Sequence, residues 1–513
     1  MTMSKKQLPQ SARAWNPEPY MLEAATFMIE RRSAALFLDP GLGKTSITLA
    51  VYKVLKAKRK SKGMLVVAPL RPARRVWPAE RKKWKDFEDL SICVLHGKYK
   101  EQLARQKFDI YVINYEGLAW LVESGMMREL LKKGWIDTVV FDELSKMKNH
   151  TSLRAKKLRP FLEKFERRYG LTGSPAANHL LGLFGQCYTL DMGKSLGDLV
   201  TAYRLKYFQQ VADHVWEPMA GAEEMIFRKV APLALRMKAE DYMKLPPLRD
   251  NYIPIELPDD VRAKYEEMEE EYLTILDEFP VTAPNAGVAA GKCRQICSGA
   301  VYKSNVDPIT GEPIGGKREW YWLHDEKLDA LEELIEELQG QQLLIAYEYQ
   351  HELERFKKRF EKTYGKIPVM GGGLSEAKEA AMERDWNRGK IPFMFGHPQS
   401  IGHGMNLQES SACHVAWYTP TGNFELWDQY TRRLRRRGND AKKITNHTIV
   451  APRTVDMIAL RTLQKRDARQ NSLFQVVTEY HAARRNRGLF PDTLEALMGN
   501  PPTKAATTKR KTK

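Results

Sequence analysis

The sequence predicts an α/β protein made of two parallel-sheet lobes in tandem, with a helical insertion between them. Three observations carry this. From about residue 19 to 250, short apolar runs alternate with helical stretches, the rhythm of a parallel sheet with crossovers. From 251 to 324 the composition shifts to a charged helix and Pro/Gly-rich turns. From 325 to about 480 the α/β rhythm returns. Residues 1–18 read as a flexible arm, and 481–513 as an extension ending in a basic, low-complexity tail.

In the first lobe the expected strands are Ala34–Leu38, Met64–Ala68, Ile92–Leu95, Asp109–Ile113, Thr138–Phe141 and Arg168–Leu171. Between the lobes, a charged helix over Asp259–Glu278 precedes an expected loop over Phe279–Gly291 and a turn region over Asp307–Gly316. The second lobe should open with a helix over Glu326–Leu338. A strand over Gln342–Tyr347 and helices over His351–Phe360 and Ser375–Arg388 follow. Its last strands are Phe393–Phe395, His414–Trp417 and Thr445–Val450.

At 513 residues the chain can hold several cores, and 43% hydrophobic content marks it as globular. The net charge of +18 implies a polyanionic partner, most plausibly nucleic acid. No apolar run approaches a membrane span, and Met1–Gln10 has no apolar core to make a signal peptide. Five cysteines without paired metal spacing point to a reducing compartment such as the cytoplasm. Cys293 and Cys297, four apart, read as helix-packing residues.

Two motifs carry chemistry. Gly41-Leu42-Gly43-Lys44-Thr45 lies between the apolar run Ala34–Leu38 and a helical run beginning at Ser46. A strand, a glycine turn and a helix N-terminus in that order cradle a polyphosphate. Lys44 would reach the β- and γ-phosphates and Thr45 would hold Mg²⁺. The pattern is incomplete, because Leu38 stands where a first glycine is usual. The second motif is Asp142-Glu143 at the end of Thr138–Phe141. Asp142 would bind Mg²⁺, and Glu143 would act as general base on the attacking water. Either motif alone could be an ordinary turn. Their order in one chain favours ATP chemistry.

These residues resemble the Swi/Snf (switch/sucrose-nonfermenting) family of superfamily II helicases, ATP-driven DNA translocases, from about Pro19 to Asn439. Asp39–Thr45 resembles the family's nucleotide loop. Val67-Ala68-Pro69-Leu70 with Trp77, Glu80 and Trp84 resembles the block that touches the nucleic-acid backbone. Asn114-Tyr115-Glu116 and Asp142–Ser145 with Lys148-Asn149 follow in order. Leu171–Pro175 with Asn178 resembles the coupling motif. Leu235-Arg236…Leu245-Pro246-Pro247 and Arg294–Cys297 resemble blocks specific to this family. In the second lobe, Glu326-Lys327-Leu328, Leu343–Tyr347, Ser400–Gln408 and Gln429–Asn439 continue the match.

The resemblance implies two RecA-like lobes with ATP and Mg²⁺ between them. It implies catalytic roles for Lys44, Asp142, Glu143, Gln429, Arg433 and Arg436. Tyr20, Asp39, Gly41, Leu42, Gly43, Lys44, Thr45, Ser46 and Gly404 would surround the nucleotide. Pro69, Arg71, Asn114, Tyr115, Thr172, Ser174 and Ser400 would meet nucleic acid, most plausibly duplex DNA. Thr45 and Asp142 would be the metal residues. Arg433 and Arg436 stand four and seven after Gln429, which on a helix is one face. Three positions depart from the family: Met21 where a glutamine reads adenine, Ser145 for a histidine, and Asn439 for a glutamine. The compact size suggests a bacteriophage or bacterial protein. Two rivals stand beside this reading: an RNA or single-strand DNA unwinding helicase, and a non-catalytic basic nucleic-acid-binding protein.

Overall fold

Six apolar runs become the parallel strands that begin the first lobe: β1 Ser33–Leu38, β2 Met64–Ala68, β3 Ile92–Val94, β4 Ile110–Asn114, β5 Thr138–Asp142 and β6 Arg167–Thr172. The computed structural model describes residues 13–175, 180–212, 215–278, 283–303, 318–371, 373–401 and 405–482. Phe208–Ala212 (β7) and Val215–Pro218 (β8) form an antiparallel hairpin. Ala234–Met237 (β9) completes the first sheet, whose order is β3-β4-β2-β5-β6-β1-β9, all parallel. β2 is buried at every position, as a strand covered on both faces must be. All six expected strands are present, with ends displaced by a residue or so. β9 is a strand the sequence pattern does not predict, and it carries the motif residues Leu235-Arg236.

The second sheet is also wholly parallel. It uses β10 Leu248–Pro254, then, after the antiparallel pair β11 Ala300–Tyr302 and β12 Trp320–Trp322, the strands β13 Leu343–Ala346, β14 Val369–Met370, β15 Phe393–Gly396, β16 His414–Trp417 and β17 Ile444–Val450. Its order is β10-β17-β16-β13-β15-β14. The expected helices appear as Glu326–Glu337, Gln350–Tyr364 and Glu376–Asn387.

The chain divides into two units. One draws its described residues from Met1–Lys206, Gly221–Tyr242 and Ser472–Lys513, the other from Tyr207–Ala220 and Met243–Asn471. The inter-lobe segment packs within the second. Val261, Tyr265, Cys293, Ile296 and Cys297 share a core with Leu328, Leu331, Leu343 and Ile345. Cys293 and Cys297 are thus packing residues, and burial raises both thiols, Cys293 to about 11. The expected loop over Phe279–Gly291 is a correction. A helix runs over Ala283–Ser298. Pro284 falls in its first turn, where a missing N–H costs nothing, and the alanines that follow favour the helix. It ends at Gly299, where φ is +97° and a Cβ would lie 2.3 Å from the His324 carbonyl oxygen. The turn region over Asp307–Gly316 lies outside the described residues, as do the tail and the first twelve residues. Among the described residues no helix is long and apolar enough to cross a membrane.

Candidate nucleotide and nucleic-acid site

The loop after β1 leaves the carboxyl edge of the first sheet and turns into the helix Lys44–Ala57. Gly41 and Gly43 take φ of 95° and 75°, the left-handed region that glycine enters freely. A Cβ at Gly43 would lie 2.6 Å from Met21 Cε and 3.1 Å from Ser46 Oγ, side-chain ends that could shift, so the positive φ is the stronger reason for glycine there. The next helix therefore aims its unpaired backbone N–H groups at the loop. Lys44 Nζ donates to the carbonyls of Leu38 (2.7 Å) and Asp39 (3.3 Å). Ser46 Oγ donates to the Gly43 carbonyl at 2.9 Å, so its hydroxyl closes the loop on itself. Leu42 is buried under the loop, and Thr45 is half-buried at the helix start.

Two residues expected around the nucleotide turn elsewhere. The Asp39 carboxylate is buried against Arg236 Nη2 at 2.7 Å and accepts from Ala239 N at 3.0 Å. It ties the loop to β9, because a buried carboxylate needs a buried cation. The Tyr20 ring is 5% exposed and packs on Tyr242, with centroids 4.6 Å apart. Tyr242, at 39% exposed, presents the open ring there. Neither Arg236's role nor Tyr242 is legible in the motifs, since both pairings span some 200 residues of sequence.

β5 delivers the acidic pair at the same carboxyl edge. Burial pushes the Asp142 carboxyl up to about 6, reinforced by the neighbouring Glu143 and opposed by the Trp77 indole and the Lys44 charge. Lys44 and Asp142 thus lie within electrostatic reach of one another. Glu143 holds φ of 64°, a conformation few non-glycine residues adopt. Its Oε1 accepts from Thr172 Oγ1 (2.8 Å) and Ser145 Oγ (2.9 Å), and Thr172 Oγ1 accepts from Ser174 N (3.2 Å).

Three residues expected to meet nucleic acid are buried beside the acidic pair. Thr172 and Ser174 are buried, at 0% and 3% exposed, and they brace the acidic pair. Tyr115 is buried too, and its hydroxyl donates to the carbonyls of Asp142 and Glu143, both at 3.0 Å. Asn114, half-buried at the end of β4, donates to Glu116 at 2.8 Å. Pro69 and Arg71 are half-buried beyond β2. Asn178 lies outside the described residues.

In the second unit, a helix over Phe424–Thr431 carries Gln429, 6% exposed. The helix stops before the arginines, which corrects the one-face reading. Arg433 and Arg436 lie in the turns that follow. Arg433 stays beside Gln429 all the same: its Nε donates to the Gln429 carbonyl at 3.1 Å and its Nη1 to the Met405 carbonyl at 3.0 Å. Arg433 is buried and Arg436 half-buried. Ser400 sits in a short helix against Gly371, where a Cβ would lie 2.7 Å from its own. Gly404 lies outside the described residues.

Residues 20–278, half of the chain, match the SNF2-related domain. The chain belongs to the SNF2-related family of superfamily II helicases. Among relatives of this SNF2 chain, protein p41 of Acyrthosiphon pisum secondary endosymbiont phage 1 is 29% identical over 484 residues, covering 91% of this chain and 99% of p41. The DNA annealing helicase and endonuclease ZRANB3 is 26% identical in Mus musculus and 24% in Homo sapiens, each over 277 residues and 52% of this chain. The aligned region spans 25% and 24% of those two proteins. A solved Sulfolobus solfataricus SWI2/SNF2 ATPase core in complex with dsDNA is 20% identical, with 92% of this chain and 97% of that one covered and a TM-score of 0.41.

The three departures of this SNF2 chain have local accounts. Met21 packs its methyl against Gly43. Ser145 still reaches Glu143. Asn439 Nδ2 donates to the carbonyls of Ala412 (2.8 Å) and Leu434 (3.0 Å), which pins the turn that ends the arginine segment.

Proposed function

We propose that this chain hydrolyses ATP when bound to DNA and uses the cycle to move along duplex DNA without reading sequence. The observation that carries the reading is the meeting of Lys44 with Asp142 and Glu143 at the carboxyl edge of one parallel sheet. Ligands of open α/β sheets bind at that edge. The loop amides and Lys44 hold the β- and γ-phosphates, and Lys44 gives up its carbonyl partners to do so. Glu143, oriented by Thr172 and Ser145, takes the proton of the attacking water. Arg433 and Arg436 are the proposed residues that neutralise charge developing in phosphoryl transfer.

The residues present fit Mg²⁺. Asp142 is a carboxylate whose charge its surroundings disfavour, and Thr45 offers a hydroxyl at the helix start. Bound with nucleotide, the ion would neutralise phosphate charge. Duplex DNA is the proposed track because of the +18 charge and the likeness to ZRANB3, named a DNA annealing helicase. Pro69, Arg71, Asn114 and Ser400 are the proposed contacts.

The test is ATP hydrolysis at one low salt concentration with no polynucleotide, duplex DNA, single-stranded DNA and RNA. Duplex DNA should stimulate most. Lys44→Ala and Glu143→Gln should each lower the stimulated rate by about 100-fold or more. Undiminished hydrolysis in both variants would overturn the reading, and stimulation only by RNA or single strands would replace the track.

A further inference from the structure

Trp77 joins two parts of the first lobe that are far apart in sequence. After β2 the chain carries Arg71, Arg74 and Arg75 in one short segment. Residues Pro72–Val76 form a single π turn, closed by the Trp77 N–H on the Pro72 carbonyl five residues back. Such turns carry an extra residue per helical turn and so re-aim the side chain that follows. Here the residue re-aimed is Trp77, which opens the helix Trp77–Lys83 and is 0% exposed. Its indole Nε1 donates to Asp142 Oδ2 at 3.0 Å, across 65 residues of sequence.

The indole N–H is a donor only, and a buried one needs an acceptor. Any buried carbonyl could have served. Instead it takes one oxygen of the carboxylate proposed for the metal, which restrains the rotation of that carboxylate. Groups that orient a ligand in this way govern how tightly a metal is held.

We propose that Trp77 is a positioning residue for the metal carboxylate. Through the π turn it relays phosphate contact at the Arg71–Arg75 segment to Asp142. This rests on the reading of Asp142 as a metal residue. Backbone strain or movement in the arginine segment reaches Asp142 through one rigid ring, so nucleic acid tunes the grip on the nucleotide's metal.

The experiment measures Mn²⁺ binding in the presence of ADP by electron paramagnetic resonance, with and without duplex DNA. It compares the wild type, Trp77→Phe and, as a control at the opposite edge of the sheet, Trp135→Phe. Trp77→Phe keeps a ring and removes the donor. It should lower Mn²⁺ affinity by about 10-fold and abolish the change in affinity that DNA produces in the wild type. Trp135→Phe should behave as wild type. Unchanged affinity in Trp77→Phe would overturn the positioning role and reduce the bond to plain satisfaction of a buried N–H. Lowered affinity with the DNA response intact would overturn the relay. A wild type that binds no Mn²⁺ with ADP would overturn the underlying reading of Asp142 instead. Should Trp77→Phe not fold, ¹⁵N-indole labelling of the wild type gives the same decision. The Trp77 N–H signal should shift with Mg²⁺ and ADP and broaden with Mn²⁺, and no response would overturn the proposal.

Discussion

Glu143 sits in a left-handed backbone conformation that costs on the order of 1 kcal/mol for a residue with a Cβ. Its carboxylate is held by two hydroxyls from different segments, Thr172 after β6 and Ser145 two residues on. That cost buys direction: the base points where its neighbours hold it. Each hydrogen bond to a charged group contributes about 1.5–3 kcal/mol. Thr172→Val should therefore lower kcat by about tenfold or more, with little change in the KM for ATP, because the hydroxyl acts on the base and not on the bound phosphates. Steady-state kinetics with saturating DNA check it, and a change confined to KM would refute it. Asp142 allows a second prediction, on stability. Its folded carboxyl titrates near 6, above the ordinary value of 3.8. Between those values the folded state binds more protons than the unfolded, so stability falls as pH rises through this window. The burial penalty is then fully present above pH 6. Asp142→Asn should raise the melting temperature at pH 8, by more than it does at pH 5, while hydrolysis is lost. Equal shifts at both pH values would show that the charge is not the cause.

At the scale of elements, one buried ion pair fastens the second unit. Lys327, in the helix Glu326–Glu337, reaches Asp456 Oδ2 at 2.6 Å, and the two side chains are 0% and 1% exposed. Asp456 opens the helix Val455–Ala482 and also accepts from Ala451 N at 3.0 Å. Breaking such a pair from one side leaves a buried charge and costs about 3–5 kcal/mol. Lys327→Met should lower the urea midpoint accordingly, and Lys327→Met with Asp456→Leu should recover much of the loss. The sequence placed Lys327 in a second-lobe motif and marked Asp456 in none, and the same limit explains what else was and was not legible. β2 could be read because Leu65, Val66 and Val67 form a buried run that little else in a chain resembles. β10 could not, since Arg249, Asp250 and Asn251 are exposed on an edge strand and carry no hydrophobic signal. Gly43, Lys44 and Asp142 were legible because their chemistry is local to a turn. The contacts of Thr172 and Tyr115 with the acidic pair were not legible. Motif order says which segments converge, and only packing says which oxygen each hydroxyl meets. The arginines after Gln429 show the converse. The helix ends at Thr431, yet Arg433 still returns to the Gln429 carbonyl, so the spacing held the contact while the assumed geometry did not.

For the molecule as a whole the net charge of +18 sets the terms on which a polyanion is met. Charge of that size, met by phosphates, releases counterions, so affinity for duplex DNA should fall steeply with salt. About six phosphate contacts correspond to a loss near 10³-fold between roughly 50 and 200 mM. Phosphate contacts carry no sequence information. Two unrelated duplexes of equal length should therefore bind within a factor of about two of one another. The rival reading, a basic protein that only binds, makes the same two predictions. Nucleotide separates them. In the ATPase reading Asn114 closes β4, and Asn114 and Tyr115 lie one and two residues past its neighbour Ile113, while Tyr115 holds the carbonyls of Asp142 and Glu143. The proposed DNA contact Asn114 and the acidic pair thereby lie at one carboxyl edge, joined through Tyr115. Affinity for duplex DNA, measured by fluorescence anisotropy at one salt concentration, should then change severalfold between ADP and a non-hydrolysable ATP analogue, and Lys44→Ala should abolish the difference. Binding that is salt-sensitive and indifferent to nucleotide in the wild type would leave the charge as the whole explanation and remove the motor.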